Sequence, residues 1–197
     1  MRLIAITGGI GSGKSMVSRI VQVMGYQVYD CDSRAKALMV QDKEVRQQLT
    51  EAFGDETYLA DGSLNRVHLA EVAFADPDSR TRLNAIVHPA TARDMSRWAE
   101  EQQSNGATIA FVETALLRTA GLDRLMNEVW HVTAPEEVRI QRVMARSGLT
   151  AAQVKSRIAA QAVEETVSSG ERPLVNDGDT SLLAQVMQLL NQNKSTN

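Results

Sequence analysis

The chain has 197 residues, a net charge of −3, and 43% hydrophobic but only 4% aromatic residues. That length suits one α/β core with insertions, and the slight negative charge gives no bulk reason to expect a nucleic acid or an anionic membrane as partner. Cys31 is the single cysteine, no apolar run approaches the roughly 18 residues of a membrane span, and no cleavable signal pattern opens the sequence. A cytoplasmic globular protein is the expectation.

The first predicted element is the apolar run Leu3-Ile4-Ala5-Ile6, a strand. It leads into Gly8-Gly9-Ile10-Gly11-Ser12-Gly13-Lys14-Ser15, which fits the phosphate-loop pattern G-x-x-x-x-G-K-[ST]. Glycines at these positions let successive backbone N–H groups turn inward around phosphate oxygens, and the helix that follows adds the positive end of its dipole. Lys14 can reach the β- and γ-phosphates as a point charge, and the Ser15 hydroxyl can ligate Mg²⁺. Met16, Val17, Ile20, Val21 and Met24 then recur at helical steps, with Gly25 placed to end the helix. A strand before the motif and a helix after it predict a nucleoside triphosphate site.

Tyr26 to Tyr29 reads as a second strand ending in Asp30-Cys31-Asp32, with a helix expected from Ser33. Residues 33–105 look mostly helical, broken at Phe53-Gly54, Asp61-Gly62 and Asp76-Pro77, and read as an insertion. Further strands are expected at Ala107–Glu113, Val129–Thr133 and Leu174-Val175. Between and after them, helices are expected at Glu136–Arg146, Ala151–Val167 and Ser181–Leu190, then a frayed polar tail from Asn191 to Asn197. Strands separated by helices predict a parallel sheet with helices on both faces and a ligand beyond the carboxyl ends of the strands. Thr7-Gly8, Asp30 to Asp32, Glu113, Thr133 and Asn176-Asp177 should therefore converge on the phosphate loop.

An N-K-x-D base-reading element is absent, which argues against a guanine-specific switch. A small-molecule kinase needs arginines over the transferring phosphate and a group at the acceptor hydroxyl. Arg139, Arg142 and Arg146 follow at steps of three and four and share one helix face, as a lid or as a solvated basic stripe; Arg157 is a weaker candidate. An aspartate of Asp30-Cys31-Asp32 can accept the hydroxyl proton or help hold Mg²⁺, and Asp32 can equally cap a helix starting at Ser33.

The phosphate loop followed by Asp30-Cys31-Asp32 closely resembles the dephospho-coenzyme A kinase family. More of that pattern follows in order: Phe53-Gly54, Leu64-Asn65-Arg66, Leu83-Asn84-Ala85-Ile86-Val87-His88-Pro89, Arg142 with Arg146, Gln161 and Asn176. The resemblance implies an α/β fold of the P-loop NTPase type: a parallel sheet flanked by helices, a helical acceptor-binding insertion and a helical lid. The core would be residues 1–32, 106–135 and 168–197, the acceptor domain 33–105 and the lid 136–167. It implies transfer of the γ-phosphoryl group of MgATP to the ribose 3′-hydroxyl of dephospho-coenzyme A. Gly11, Ser12, Gly13, Lys14, Ser15 and Met16 match the ATP phosphate loop, Arg142 and Arg146 the lid, and Asn176 the adenine region. Asp32, Lys14 and Arg142 would carry catalysis, and Asp32, Arg66 and His88 the acceptor side, although His88-Pro89 also reads as a packing element at a helix start. Ser15 would ligate Mg²⁺, with Asp32 or Glu113 acting through water. The expected partners are ATP and dephospho-coenzyme A, with no nucleic acid or membrane, in a monomer or small homo-oligomer.

The chain departs from the family at Ala115-Leu116-Leu117-Arg118-Thr119, where a proline and a later glutamate are usual. It departs again at Gly170-Glu171, where Ala-Asp is usual, at Met16 in place of Thr, and at Glu113, where Asp is common. Two rival readings are a kinase for another alcohol on the same architecture and a slow regulatory nucleotide switch. The size of the 33–105 insertion favours a large acceptor over the first, and the arginines argue against the second.

Overall fold

A computed structural model of the chain describes residues 1–73 and 75–194. Its sheet has five strands: β1 (Arg2–Thr7), β2 (Val28–Asp30), β3 (Ile109–Glu113), β4 (Glu128–Thr133) and β5 (Arg172–Val175). They lie in the order β2-β3-β1-β4-β5, with β1 parallel to β3 and β4, and β4 parallel to β5. Parallel neighbours need long crossovers, which the intervening helical segments supply. The expected α/β sheet flanked by helices is the observed architecture, and β1 occupies its centre.

Ile4 and Ile6 alternate along β1 onto one face, where Phe111, Trp130, Val132 and Leu174 join them. Helix α1 (Lys14–Val23) closes that face with Val17 and Val21. The Phe111 and Trp130 rings are 5.0 Å apart, and the indole N–H donates to Glu128 at 2.8 Å, so the largest buried ring keeps its polar atom satisfied. Leu3 and Ala5, on the opposite side of the pleat, are also buried, as a strand covered on both faces requires.

Contacts divide the chain into two compact units, residues 1–29 with 101–197 and residues 30–100. The second unit contains α2 (Cys31–Gln41), α3 (Lys43–Phe53), α4 (Arg66–Ala73) and most of α5 (Pro77–Ser104). It has its own core, with Leu38, Val45, Leu49, Phe53, Leu69 and Ala90 buried together. Asp42 caps α3 through the N–H groups of Glu44 and Val45, and α3 stops at Gly54, whose φ of 90° suits a residue without Cβ. Tyr58 donates to the Met39 carbonyl at 2.6 Å; burial pushes its hydroxyl pKa up, and the Arg46 guanidinium over its ring opposes this.

The rest of the first unit comprises α6 (Glu136–Ser147), α7 (Ala151–Ala160), α8 (Ala162–Glu165) and α9 (Leu182–Lys194). Val186 and Leu190 of α9 complete the main core beside α1.

Four expectations need correction. Helix α2 begins at Cys31, not Ser33, because Asp30 supplies its cap. The helix expected over Ala151–Val167 is two helices meeting at Gln161. Pro89 does not start a helix but lies inside the 28 residues of α5. The helix expected to end at Leu190 continues to Lys194, and the last three residues of the predicted frayed tail, 195–197, lie outside the described residues. Among the described residues, no helix is long and apolar enough to cross a membrane.

Candidate active site

The phosphate loop leaves the carboxyl end of the central strand. Gly13, with φ 102°, is the last residue before α1, and a Cβ there would lie 2.0 Å from Asn176 Nδ2. Glycine is required at that position for both the backbone turn and the room. Asn176 uses the space: its Nδ2 donates to the Ser12 carbonyl at 2.8 Å, and its own N–H continues from β5 to the Thr133 carbonyl at 2.8 Å. Lys14 Nζ donates to the carbonyls of Gly8 (2.9 Å) and Gly9 (3.3 Å), folding its ammonium over the loop it belongs to. Ser15 and Met16 are exposed in the first turn of α1. Ser12 Oγ and Thr7 Oγ1 are buried without a hydrogen-bond partner among the described residues.

The three arginines of α6 separate. Arg139 is buried, and its Nε donates to the Ile10 carbonyl at 2.9 Å. Arg142 is half-buried, with Nη1 on the Asn176 carbonyl at 3.0 Å and Nη2 on Asn176 Oδ1 at 3.4 Å. Arg146 is exposed in the last turn. One helix face thus carries a buried, a braced and a solvated guanidinium. Arg157 on α7 is exposed.

Glu113 closes β3 in register with Ile6 of β1, and the next N–H, that of Thr114, donates to the Ile6 carbonyl at 3.1 Å. This sets Glu113 beside the end of the strand that feeds the phosphate loop. Asp177 follows Asn176, and its carboxyl is held below the ordinary range chiefly by the Thr180 N–H, then by the Thr180 hydroxyl. Among the described residues, no three His, Cys, Asp or Glu side chains cluster as a metal cage. A hydroxyl at Ser15 and isolated carboxylates are oxygen donors that suit a hard cation carried in on phosphates and largely hydrated.

The departures at Arg118-Thr119 and Glu171 touch each other. Glu164, only 1% exposed, accepts the N–H groups of Arg118 (3.1 Å) and Thr119 (2.7 Å). The Arg118 guanidinium reaches the Glu164 carbonyl (3.2 Å), Ser168 Oγ (3.1 Å) and the Glu171 carboxylate. The other Glu171 oxygen lies 3.1 Å from His131 Nδ1. Arg118 thereby ties the loop after β3 to the segment before β5.

In the helical unit, Asp30 is the N-cap of α2, accepting from Asp32 N (3.0 Å), Ser33 N (3.2 Å) and Ser33 Oγ (2.5 Å). Asp32 is therefore relieved of the capping role and stands exposed in the first helical turn. Arg66 is exposed at the start of α4, and His88 is half-buried within α5. Sequence reading missed the buried Asp94, which binds Arg34 at 2.9 Å through both oxygens and Arg97 at 3.1 Å. It also missed the bond from the Ile10 N–H to Gln161 Oε1, 2.8 Å.

Comparison with known proteins adds the following. The sequence model of the dephospho-CoA kinase family matches residues 2–181. A dephospho-CoA kinase of Porphyromonas gingivalis is 38% identical over 192 residues, covering 96% of this chain and 93% of that protein. The dephospho-CoA kinase of Geobacter sulfurreducens is 40% identical over 181 residues, covering 90% and 91%. A crystal structure of a Thermus thermophilus protein superposes with a TM-score of 0.81 at 33% identity, covering 98% of this chain and 97% of that one.

Proposed function

The chain belongs to the dephospho-CoA kinase family, and on that premise we propose how its residues divide the work. The reaction is transfer of the γ-phosphoryl group of ATP to the ribose 3′-hydroxyl of dephospho-CoA, giving CoA and ADP. The observation that carries this is the match of the family model to residues 2–181, on a chain whose phosphate loop sits at the carboxyl end of the central strand.

The N–H groups of Gly11 to Met16 and the ammonium of Lys14 bind the β- and γ-phosphates of ATP. Ser15 would hold the Mg²⁺ that accompanies ATP, with Glu113 or Asp32 on its water, and the ion would supply charge neutralisation across these phosphates. Asp32 orients the 3′-hydroxyl and accepts its proton as the hydroxyl oxygen bonds to the γ-phosphorus and the bond to the bridging oxygen breaks. ADP leaves with that electron pair. Arg142 and Arg146 stabilise the charge on the equatorial oxygens and shield the phosphate from water, a competing acceptor. Asn176 fixes the loop through Ser12 and borders the adenine, and Arg66 and His88 serve the acceptor side. Residues 33–105 act as the acceptor domain and 136–167 as the lid, around a core of 1–32, 106–135 and 168–197. The relief of Asp32 from capping supports the base assignment. The reading places the enzyme in the cytoplasm, as a monomer or small homo-oligomer.

The test is incubation with MgATP and dephospho-CoA, with the product resolved by chromatography, weighed by mass spectrometry and located by ³¹P NMR. One added phosphoryl group on the 3′ position is expected. Bound ATP with no phosphorylated product would refute the acceptor.

A further inference from the structure

Ile10 is gripped on both sides of its Cα. Its N–H donates to Gln161 Oε1 at 2.8 Å, and its carbonyl accepts from Arg139 Nε at 2.9 Å. Arg139 belongs to α6, and Gln161 is the C-cap residue of α7. Both helices of the proposed lid therefore close on one residue of the phosphate loop. The Ile10 side chain is part of the same junction: it packs with Leu149 against the buried cluster of Ile140, Val143, Val154 and Ile158. The next residue shows how tight the junction is, since a Cβ on Gly11 would stand 2.7 Å from the Arg139 carbonyl.

Hydrogen bonds to the N–H and carbonyl of one residue fix the two peptide planes that flank it, and the packed side chain removes the remaining rotation. The peptide planes that follow Ile10 are those whose N–H groups must face phosphate. We propose that Arg139 and Gln161 are positioning residues for ATP, which pre-form the loop through Ile10 and couple any movement of the α6–α7 pair to it. Arg139 acts on the loop through its Nε, which donates to the Ile10 carbonyl. This divides the arginine face by role: Arg139 shapes the loop, whereas Arg142 and Arg146 address the nucleotide. The proposal rests on ATP being the ligand of this loop.

Side-chain chemistry supplies a sharp test. Arg139→Met keeps the stem length and removes the donor, whereas Arg139→Gln places an N–H donor the same number of bonds from Cα as Arg Nε, without the charge. Gln161→Met removes the acceptor. ATP dissociation constants are measured by calorimetry without acceptor, together with KM for each substrate and the thermal midpoint. Arg139→Met and Gln161→Met should each weaken ATP by about two- to tenfold, the range of one lost hydrogen bond. Arg139→Gln, which keeps a donor for the Ile10 carbonyl, should recover part of the affinity that Arg139→Met loses. KM for dephospho-CoA should not move. The double variant should lose less than the product of the single losses, because both act on one residue. Equal impairment of Arg139→Gln and Arg139→Met would overturn the proposal, as would unchanged ATP affinity in both methionine variants. If the parent protein makes no CoA yet ATP affinity still separates the variants, the positioning role stands and the acceptor assignment falls.

Discussion

The phosphate loop and the start of α2 each follow the carboxyl end of a strand, yet they are held in opposite ways. The loop after β1 is fixed from afar: Asn176 holds Ser12, while Arg139 and Gln161 hold Ile10, across 164, 129 and 151 residues of sequence. The turn after β2 is fixed locally, since Asp30 binds the N–H groups two and three residues ahead of it. A loop that keeps N–H groups for a ligand satisfies itself only in part, as the Ser12 N–H does on the Gly9 carbonyl at 3.2 Å, so much of its shape must come from other elements. A helix start needs only its cap. Damage to the loop should therefore arise from changes across the first unit, and damage to the α2 cap chiefly from its own residues.

The largest expected effect is that of Arg142→Ala. An arginine at a transferring phosphoryl group contributes about 10³–10⁵-fold to turnover. Because Arg142 also binds Asn176, which holds Ser12, ATP affinity should fall along with kcat. Steady-state kinetics over both substrates would show the joint loss, and a drop of less than about fivefold would reduce Arg142 to a brace, far below the range for such an arginine. Asp32→Asn should be the cleaner defect: kcat down by about 10²–10⁴-fold, as for a lost general base, with ATP affinity intact. If Asp32→Asn weakened ATP binding as much as Arg142→Ala, the contrast between a remotely braced loop and a locally capped helix would fail.

How much of this was legible in the sequence follows the same contrast. The phosphate loop, its strand and its helix are readable because glycine spacing and helical periodicity are local. Arg139, Arg142 and Arg146 were readable as one face but not as three environments, because distant partners, Ile10 and Asn176, decide which guanidinium is buried. Asp30 and Asp32 are both competent caps, and the sequence does not rank them; the strand delivers Asp30 with φ −92° and ψ 102°, an extended cap geometry, and the helix starts two residues earlier than expected. His88-Pro89 reads as a packing element at a helix start, and α5 passes through it. The Arg118–Glu171 pair spans 53 residues, so each departure from the family pattern looked separate until the contact showed them to be partners.

The smallest expected effect tests the local half of the comparison. Asp30→Ala removes the acceptor for Asp32 N and Ser33 N, and loss of such a cap costs about 1 kcal/mol. In a chain of this size that corresponds to a thermal midpoint lower by about 2–4 °C. Asp30→Asn retains a side-chain oxygen that caps as well as Asp does, so its midpoint should stay near that of the parent. Turnover discriminates further. Asp30 binds the backbone of Asp32, not its carboxylate, so Asp30→Ala should lower kcat much less than Asp32→Asn, and Asp30→Asn less again. Calorimetry and kinetics on the three variants give an ordering. If Asp30→Ala proved as inactive as Asp32→Asn while staying folded, the carboxylate that takes the proton would be Asp30, and the cap would be the catalytic group.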